Sequence, residues 1–484
     1  MLNEKYLKKT LAWILAGYIL FVLVWYFAGG DRIRFKTVDT GTMISPARIT
    51  GELLSGDILE QPFVLDAEEI RSVVLKAATF ARENSGNLSI SLRSGSALLA
   101  EVDVPFSELR DNDDFTVLFP DPVAVKREEP LRIVVESSGS PGNSVAFYYG
   151  NTITLPRGEI EKKFGTEEVA SLNHKPLNGV LCFRVTGRKS LWFGRYFWFF
   201  AAAGGAFLAA YGAHSIRAFA RGRHTFAVIP LAAFIRYRFL IQQLVARDFK
   251  TKYKRSVLGV FWSFLNPILT MAVQYFVFST IFRSNIENFA LYLLTGIVCF
   301  NFFIEATNMA LTSIVNNASL ITKVYVPKYI YPMTRILSSS INLAFSLIPL
   351  FAVMLFSGLP FPKALLLLPF GLLCLLSFSM GVGFLLSALM VFFRDTQFLW
   401  GVLGMLWMFM TPIFYPETII PIRFLAIYRL NPLYHIIGFI RSIMISGVSP
   451  EPFAFLLCFA ASVTPLVVGL FVFKKTQDKF VLNL

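Results

Sequence analysis

Apolar positions along this chain are grouped on two length scales. Residues 11–28, LAWILAGYILFVLVWYFA, form one uncharged run, and comparable runs recur near 192–213, 258–282, 289–313, 330–357, 363–392, 397–415 and 452–473. An α-helix needs about 20 apolar residues to cross roughly 30 Å of hydrocarbon. The pattern therefore predicts two spans near the N-terminus and six in the second half. Between the first two, residues 30–190 are polar, and their apolar pieces (SVVLKAATF, NLSISLR, ALLAEVDV, FTVLF, LRIVVES, SVAFYYG and GVLCFRVT) are short, β-branched and partly alternating. Separated by SG, DNDD and SSGSPGN turns, they predict a β-sandwich, jelly-roll-like. The fold class expected is a polytopic α-helical membrane protein with an inserted sandwich.

Charge orients these spans. Lys5, Lys8 and Lys9 precede the first run, and residues 217–255 hold Arg217, Arg221, Arg223, Arg236, Arg238, Arg247, Lys250, Lys252, Lys254 and Arg255 against only Asp248. Cytoplasmic flanks are enriched in Lys and Arg, so both stretches belong inside and the sandwich outside. A cleaved signal peptide is the rival reading of the first run; its length, the Trp25-Tyr26-Phe27 belt and the lack of an A-x-A site favour a retained anchor. Segment 230–246 spaces its apolar residues at helical period around Arg236, Arg238, Gln242 and Gln243, as a helix lying along the interface does. Residues 416–447 contain two pieces too short to cross, meeting at Asn431-Pro432, which predicts a re-entrant hairpin with Pro412, Tyr415, Pro416, Asn431 and Pro432 as its gate. That placement returns Lys474, Lys475 and Lys479 to the cytoplasm but leaves Arg423, Arg429 and Arg441 on the outer side. The expected organisation is thus an anchor at 1–29, the sandwich at 30–190, a second span at 191–216, a linker and interface helix at 217–257, and a six-span domain at 258–484.

Composition narrows the functional classes. Of 484 residues 55% are hydrophobic and 16% charged, against about 25% charged in soluble domains, and mean hydropathy is +0.59. The formal charge of +14 sits beside the apolar runs, which assigns it to the positive-inside pattern rather than to nucleic acid. Cys299, Cys374 and Cys458 lie in apolar runs and Cys182 in the polar insert, so no spacing points to a disulfide or a metal. The sequence holds no G-x-x-x-x-G-K-[ST] loop. No cofactor is expected in this chain, and ATP-derived work would have to come from another subunit. A membrane glycosyltransferase is disfavoured because no D-x-D-like site falls on a predicted cytoplasmic loop.

Four motifs carry a family resemblance. RDFKTKYKRSVLGVFWSFLNPI from 247, FFRDTQF at 392–398, TPIFYPETIIP at 411–421 and NPLYHIIGFIRSIMISG at 431–447 resemble type-2 ABC transporter permeases that export O-antigen, capsule and teichoic-acid polymers. The resemblance covers roughly 230–484; the first 215 residues are additional to the usual six-span permease. It implies a non-enzymatic homodimer in a bacterial cytoplasmic membrane, resting on two copies of a separate ATPase that holds ATP and Mg. A lipid-linked, polyprenyl diphosphate polysaccharide would pass between protomers. The alternatives are an exporter of drugs or small lipids, and an ATP-independent anchor displaying a glycan-binding sandwich.

Candidate residues follow from position. Asn301, Glu305, Asn308 and Thr312 recur at four, three and four on one helical face, and Ser263, Asn266, Thr270 and Gln274 nearly repeat that pattern on the preceding span. With Trp262, Phe278 and Trp407 they are expected to line a wet passage, where rings offer apolar faces to sugars and amides exchange hydrogen bonds with hydroxyls. The competing reading is helix glue and core packing. Arg247, Lys250, Lys254 and Arg255, at the expected cytoplasmic lip, are candidates for a diphosphate headgroup, against an ordinary positive-inside cluster. Asn316, Leu320 and Lys323, and the turn at Arg394 and Asp395, are the candidate levers for an ATPase; the resemblance places its coupling helix in the first. In the sandwich Phe80, Phe106, Phe115, Phe119, Phe147, Tyr148 and Tyr149 could serve a sugar-binding surface or a plain core.

Overall fold

The computed structural model describes residues 4–40, 46–150, 169–221, 228–254, 258–281, 288–323 and 326–483. They form two compact units: Asp31–Tyr196, and a second made from the chain up to Gly30 together with Phe197 onward.

The second unit is helical. Its elements are α1 (Glu4–Gly29), α2 (Phe197–Ala220), α3 (Val228–Tyr253), α4 (Trp262–Phe276), α5 (Phe289–Leu311), α6 (Ala318–Lys323), α7 (Ile330–Phe356), α8 (Leu368–Phe392), α9 (Thr396–Phe409), α10 (Ile422–Leu430), α11 (Pro432–Met444) and α12 (Pro452–Thr476). Among the described residues seven helical segments are long and apolar enough to cross a bilayer: Lys5–Gly29, Phe197–Ala220, Gly259–Ser279, Phe289–Leu311, Ile330–Phe356, Lys363–Phe392 and Pro452–Asn483. The expected span at 397–415 is shorter than the sequence suggests. Its helix, α9, has 14 residues, about 21 Å at 1.5 Å per residue, because Pro412 lacks an N–H and biases Thr411 away from helical backbone. The second span also starts later than expected: Trp192–Arg195 is a separate short turn, and α2 begins at Phe197.

Small residues let α8 run through the centre of this unit. A Cβ on Gly381 would stand 2.3 Å from the backbone nitrogen of Leu466, and one on Gly469 would stand 2.0 Å from the Gly381 carbonyl oxygen. The α8 and α12 backbones are therefore in direct contact. Helices in lipid gain little from burying apolar surface and associate through such close packing instead. The first helix joins the same core: the Trp25 ring lies 4.3 Å from Phe455 and Phe21 stacks on Phe370 at 5.3 Å. Its partner α2 is held by the Tyr18 hydroxyl, which donates to the Ala201 carbonyl at 2.9 Å.

The other unit is two antiparallel sheets over one apolar core. One sheet runs in the order β11 (Lys175–Pro176), β10 (Ser171–Leu172), β3 (Ile58–Val64), β8 (Pro130–Ser137), β5 (Asn87–Ser94), β6 (Ala97–Pro105). The other contains β1 (Phe35–Asp39), β13 (Phe183–Ser190), β4 (Glu69–Ala78), β9 (Ala146–Gly150) and β12 (Val180–Leu181), with β2 (Arg48–Ile49) on β9 and β7 (Asp114–Ala124) on β4. Strand β3 alternates strictly, with Leu59, Gln61 and Phe63 buried, as a two-faced strand must. Gln61 is tolerated inside because its amide donates to the Pro62 carbonyl at 2.8 Å and accepts from the Leu181 N–H at 2.8 Å. Of the aromatic residues considered for a sugar-binding face, Phe106, Phe119 and Phe147 are buried in the shared core, so these three serve packing.

Asp66, just after β3, fastens the sandwich: Arg127 Nε donates to its Oδ1 at 2.7 Å, and the Lys189 ammonium holds its other oxygen. These two cations hold the carboxyl down at about 2. A carboxylate with a depressed native pKa stabilises the fold above its unfolded value of about 3.9 and loses that contribution as pH falls toward the native value. Acid unfolding of the sandwich is therefore expected to steepen between roughly pH 4 and 2, and Asp66→Asn should flatten that limb in a circular-dichroism pH titration of the whole protein. For the helical unit, Gly381→Val is expected to force α8 from α12 at a cost of about 3 kcal/mol. A lowered apparent melting temperature in detergent would show it.

Candidate functional site

Helix α3 ends against three others. Its buried Ile241 and Leu244 pack on Ile330 of α7, and one turn further on Asp248, whose side chain is 4% exposed, accepts from Arg335 Nη1 of α7 at 2.9 Å. Removing a charge from water costs several kcal/mol unless it is paired, so this pair fixes where α3 stops. Lys252 follows at i+4 and therefore shares that face. Its Nζ donates to Oε1 of Glu305 on α5 at 2.8 Å.

Around this pair lies a cavity of ≈ 260 Å³, lined by Lys252, Tyr253, Trp262, Ser263, Asn266, Pro267, Val298, Asn301, Phe302, Glu305, Ser339, Asn342, Leu343 and Ser346. Glu305 Oε1 also accepts from Asn342 Nδ2 at 2.6 Å and from Ser339 Oγ at 3.4 Å. The Tyr253 hydroxyl donates to Asn342 Oδ1 at 2.9 Å and lies 2.5 Å from Ser263 Oγ. Asn342 is thus oriented from both sides, its amine toward the carboxylate and its carbonyl toward the phenol. Trp262 and Phe302 supply apolar walls. The site combines amide, hydroxyl, carboxylate and ammonium groups with ring faces, a set that exchanges hydrogen bonds with a polyhydroxylated ligand.

The structure sorts the sequence candidates. It brings Trp262, Asn266, Asn301 and Glu305 into this one cavity, and Thr270 Oγ1 donates to Asn266 Oδ1 at 3.4 Å. Gln274 lies further along α4 outside the lining, and Phe278 stacks on Phe414 at 5.5 Å. Asn308 is exposed and does not reach the cavity, which ends one turn earlier at Glu305. Trp407 belongs elsewhere, beside an apolar cavity of ≈ 370 Å³ with Leu403, Leu406, Ile427 and Leu430. Arg247, Lys250 and Lys254 are exposed on the last turns of α3 and just beyond, and Arg255 lies outside the described residues. Asn316, Leu320 and Lys323 are exposed on α6 and the turn before it. Among the described residues neither Arg394 nor Asp395 has an ion-pair partner; they stand exposed with Phe393 and Phe398.

The candidate gate is built around a charge that sequence reasoning left at the outer edge. Arg441 of α11 is buried, its Nη1 donating to the Pro412 carbonyl at 2.6 Å and its Nη2 to those of Tyr292 and Ile413 at 3.0 and 3.1 Å. The guanidinium carbon lies 3.4 Å from the Tyr292 ring centre, a cation–π contact. Gly296 makes room, since a Cβ there would come within 2.7 Å of Nη2. The Tyr292 hydroxyl donates to the Pro412 and Tyr415 carbonyls at 3.2 and 2.9 Å. Asn431 caps α11 by accepting from the Leu433 N–H at 3.0 Å, accepts from Trp407 Nε1 at 2.8 Å and donates to Thr411 Oγ1 at 2.8 Å. Pro416 stands with Pro412 and Arg441 around a neighbouring cavity of ≈ 360 Å³.

Sequence reasoning missed Tyr253, Ser339, Asn342 and Ser346, and the pairing of Asp248 with Arg335. The signal existed: Arg335, Ser339, Asn342 and Ser346 recur at four, three and four along α7, the same periodicity noted on α5.

A bundle of apolar helices of spanning length with paired charges and a polar cavity inside is the architecture of a multi-pass membrane protein. The ABC-2 type transporter family model matches residues 239–445. An O-antigen export system permease protein RfbA from Klebsiella pneumoniae is 30% identical over 246 residues, 50% of this chain and 93% of that protein. The RfbA of Myxococcus xanthus is 30% identical over 248 residues, 50% of this chain and 95% of that protein. The chain belongs to the ABC-2 type transporter permeases, in the family of the O-antigen exporters.

Arg441→Met removes the hydrogen bonds to three backbone carbonyls and the contact with the Tyr292 ring, and destabilisation by about 3 kcal/mol is expected. Arg441→Lys should recover only part of it, because an ammonium cannot span the fork. Thermal unfolding in detergent measures both.

Proposed function

We propose that this permease exports a lipid-linked polysaccharide of the O-antigen kind across the bacterial cytoplasmic membrane, driven by a separate ATPase. The single observation that carries this reading is the ring-flanked polar cavity where α3 meets α4, α5 and α7, in a chain whose relatives are O-antigen export permeases. A neutral glycan is held there by many exchangeable hydrogen bonds, each of modest net strength, about 0.5–1.5 kcal/mol, so it binds without being trapped. In this reading two copies form the conduit, and two copies of the ATPase press on α6 and on the Arg394–Asp395 turn, both of which offer exposed side chains. The basic end of α3 lies at the cytoplasmic side, where Arg247, Lys250 and Lys254 attract a polyprenyl diphosphate. The positive-inside pattern then puts the sandwich outside the cytoplasm, in reach of emerging glycan.

Two measurements test this. Substituting the catalytic carboxylate of the cognate ATPase should abolish surface polysaccharide in the native host; undiminished export would overturn the reading. Asn266→Leu with Asn301→Leu removes two amide contacts, together about 1–3 kcal/mol. Surface polysaccharide should fall roughly fivefold or more at an unchanged membrane level of the protein.

A further inference from the structure

Three donors converge on one oxygen of Glu305: Lys252 Nζ at 2.8 Å, Asn342 Nδ2 at 2.6 Å and Ser339 Oγ at 3.4 Å. A cluster of an ammonium, an amide and a hydroxyl around one anionic oxygen is the donor set of a phosphate site. Here the protein's own carboxylate fills it. The pair is accessible, with the Lys252 side chain 42% exposed and that of Glu305 32% exposed, and partly exposed ion pairs are weak enough to exchange partners. The backbone need not move for this to happen, because the buried Asp248–Arg335 pair one turn earlier holds α3 in place. Lys252 alone can then swing on its flexible four-carbon stem.

We propose that Glu305 is a resident counter-anion that holds Lys252 in reserve, and that a phosphate or diphosphate ester entering the cavity displaces the carboxylate and takes over Lys252. The inference rests on the proposed lipid-linked substrate and adds to it an anion-recognition residue, Lys252, and an internal competitor, Glu305. Arg247, Lys250 and Lys254, exposed nearby on the chain, draw the anion in. Releasing Glu305 also frees Asn342 and Ser339 for the ligand, so headgroup arrival remodels the wall that faces the glycan.

Competition makes the two partners act in opposite directions, which a purely structural ion pair does not. The full-length protein in nanodiscs of zwitterionic lipid is titrated with a short-chain isoprenyl diphosphate, and separately with inorganic pyrophosphate. Glu305→Gln keeps an acceptor oxygen for Asn342 and Ser339 while removing the competing charge, and should tighten binding roughly threefold to tenfold. Lys252→Met should weaken it roughly tenfold, Lys252→Arg should retain it, and the E305Q/K252M double variant should behave as K252M. Opposite shifts with the isoprenyl diphosphate alone support the exchange with a lipid headgroup as its source; opposite shifts with both probes support it for the free phosphate chemistry as well. If both single variants shift binding in the same direction, or neither shifts it, the exchange is overturned, and wild-type binding of the isoprenyl diphosphate would still uphold the substrate class. Loss of wild-type binding to both probes would overturn the two together. Should E305Q fail to fold, the contrast between K252M and K252R decides: equal loss in both overturns the proposal.

Discussion

Charge inside a low-dielectric helical bundle has to be answered by the protein itself, and the arrangement of this permease follows from how it answers. An uncompensated ion in hydrocarbon costs several kcal/mol, so two ion pairs and one arginine each fix a junction. Asp248 with Arg335 sets where α3 meets α7, Lys252 with Glu305 ties α3 to α5, and Arg441 gathers the carbonyls of Tyr292, Pro412 and Ile413. The first two are side chain to side chain and the third is side chain to backbone. That difference matters: an ion pair can trade partners, whereas a guanidinium held by three backbone carbonyls can leave only if the chain around Pro412 rearranges. The Lys252–Glu305 and Arg441 sites therefore differ in stiffness.

The large features of the fold were legible because they rest on period and length. Runs of about 20 apolar residues and alternating β-branched pieces report their environment directly. Where a proline intervenes the reading overshoots, as at 397–415, because hydropathy continues past the point where Pro412 stops the helix. The site was legible by halves. Stripes on α4 and α5 were visible as polar residues in apolar runs, yet only Ser263, Asn266, Asn301 and Glu305 of them line the cavity, because periodicity gives a face and not how far along it a neighbour reaches. Asn342 and Ser339 were overlooked since serine-rich helices read as ordinary packing. Arg441 looked misplaced because the three carbonyls that satisfy it come from two distant segments, which no local pattern reveals.

The sandwich shows the same limit from the other direction. Its strands were evident, but whether an aromatic residue points into the core or out of it depends on register, and a slip of one residue reverses the answer. Phe106, Phe119 and Phe147 point inward. Composition alone could not separate a lectin-like surface from a well-filled interior.

The first two helices have an effect on the permease that is geometric rather than chemical. By lodging Phe21 and Trp25 against Phe370 and Phe455, α1 occupies the flank where α8 meets α12. Whatever approaches that side meets α1 rather than the seam between α8 and α12, while Phe276 of α4 and Phe398 and Phe409 of α9 remain exposed. The first helix thus acts as a splint along the tightest backbone contact in the bundle.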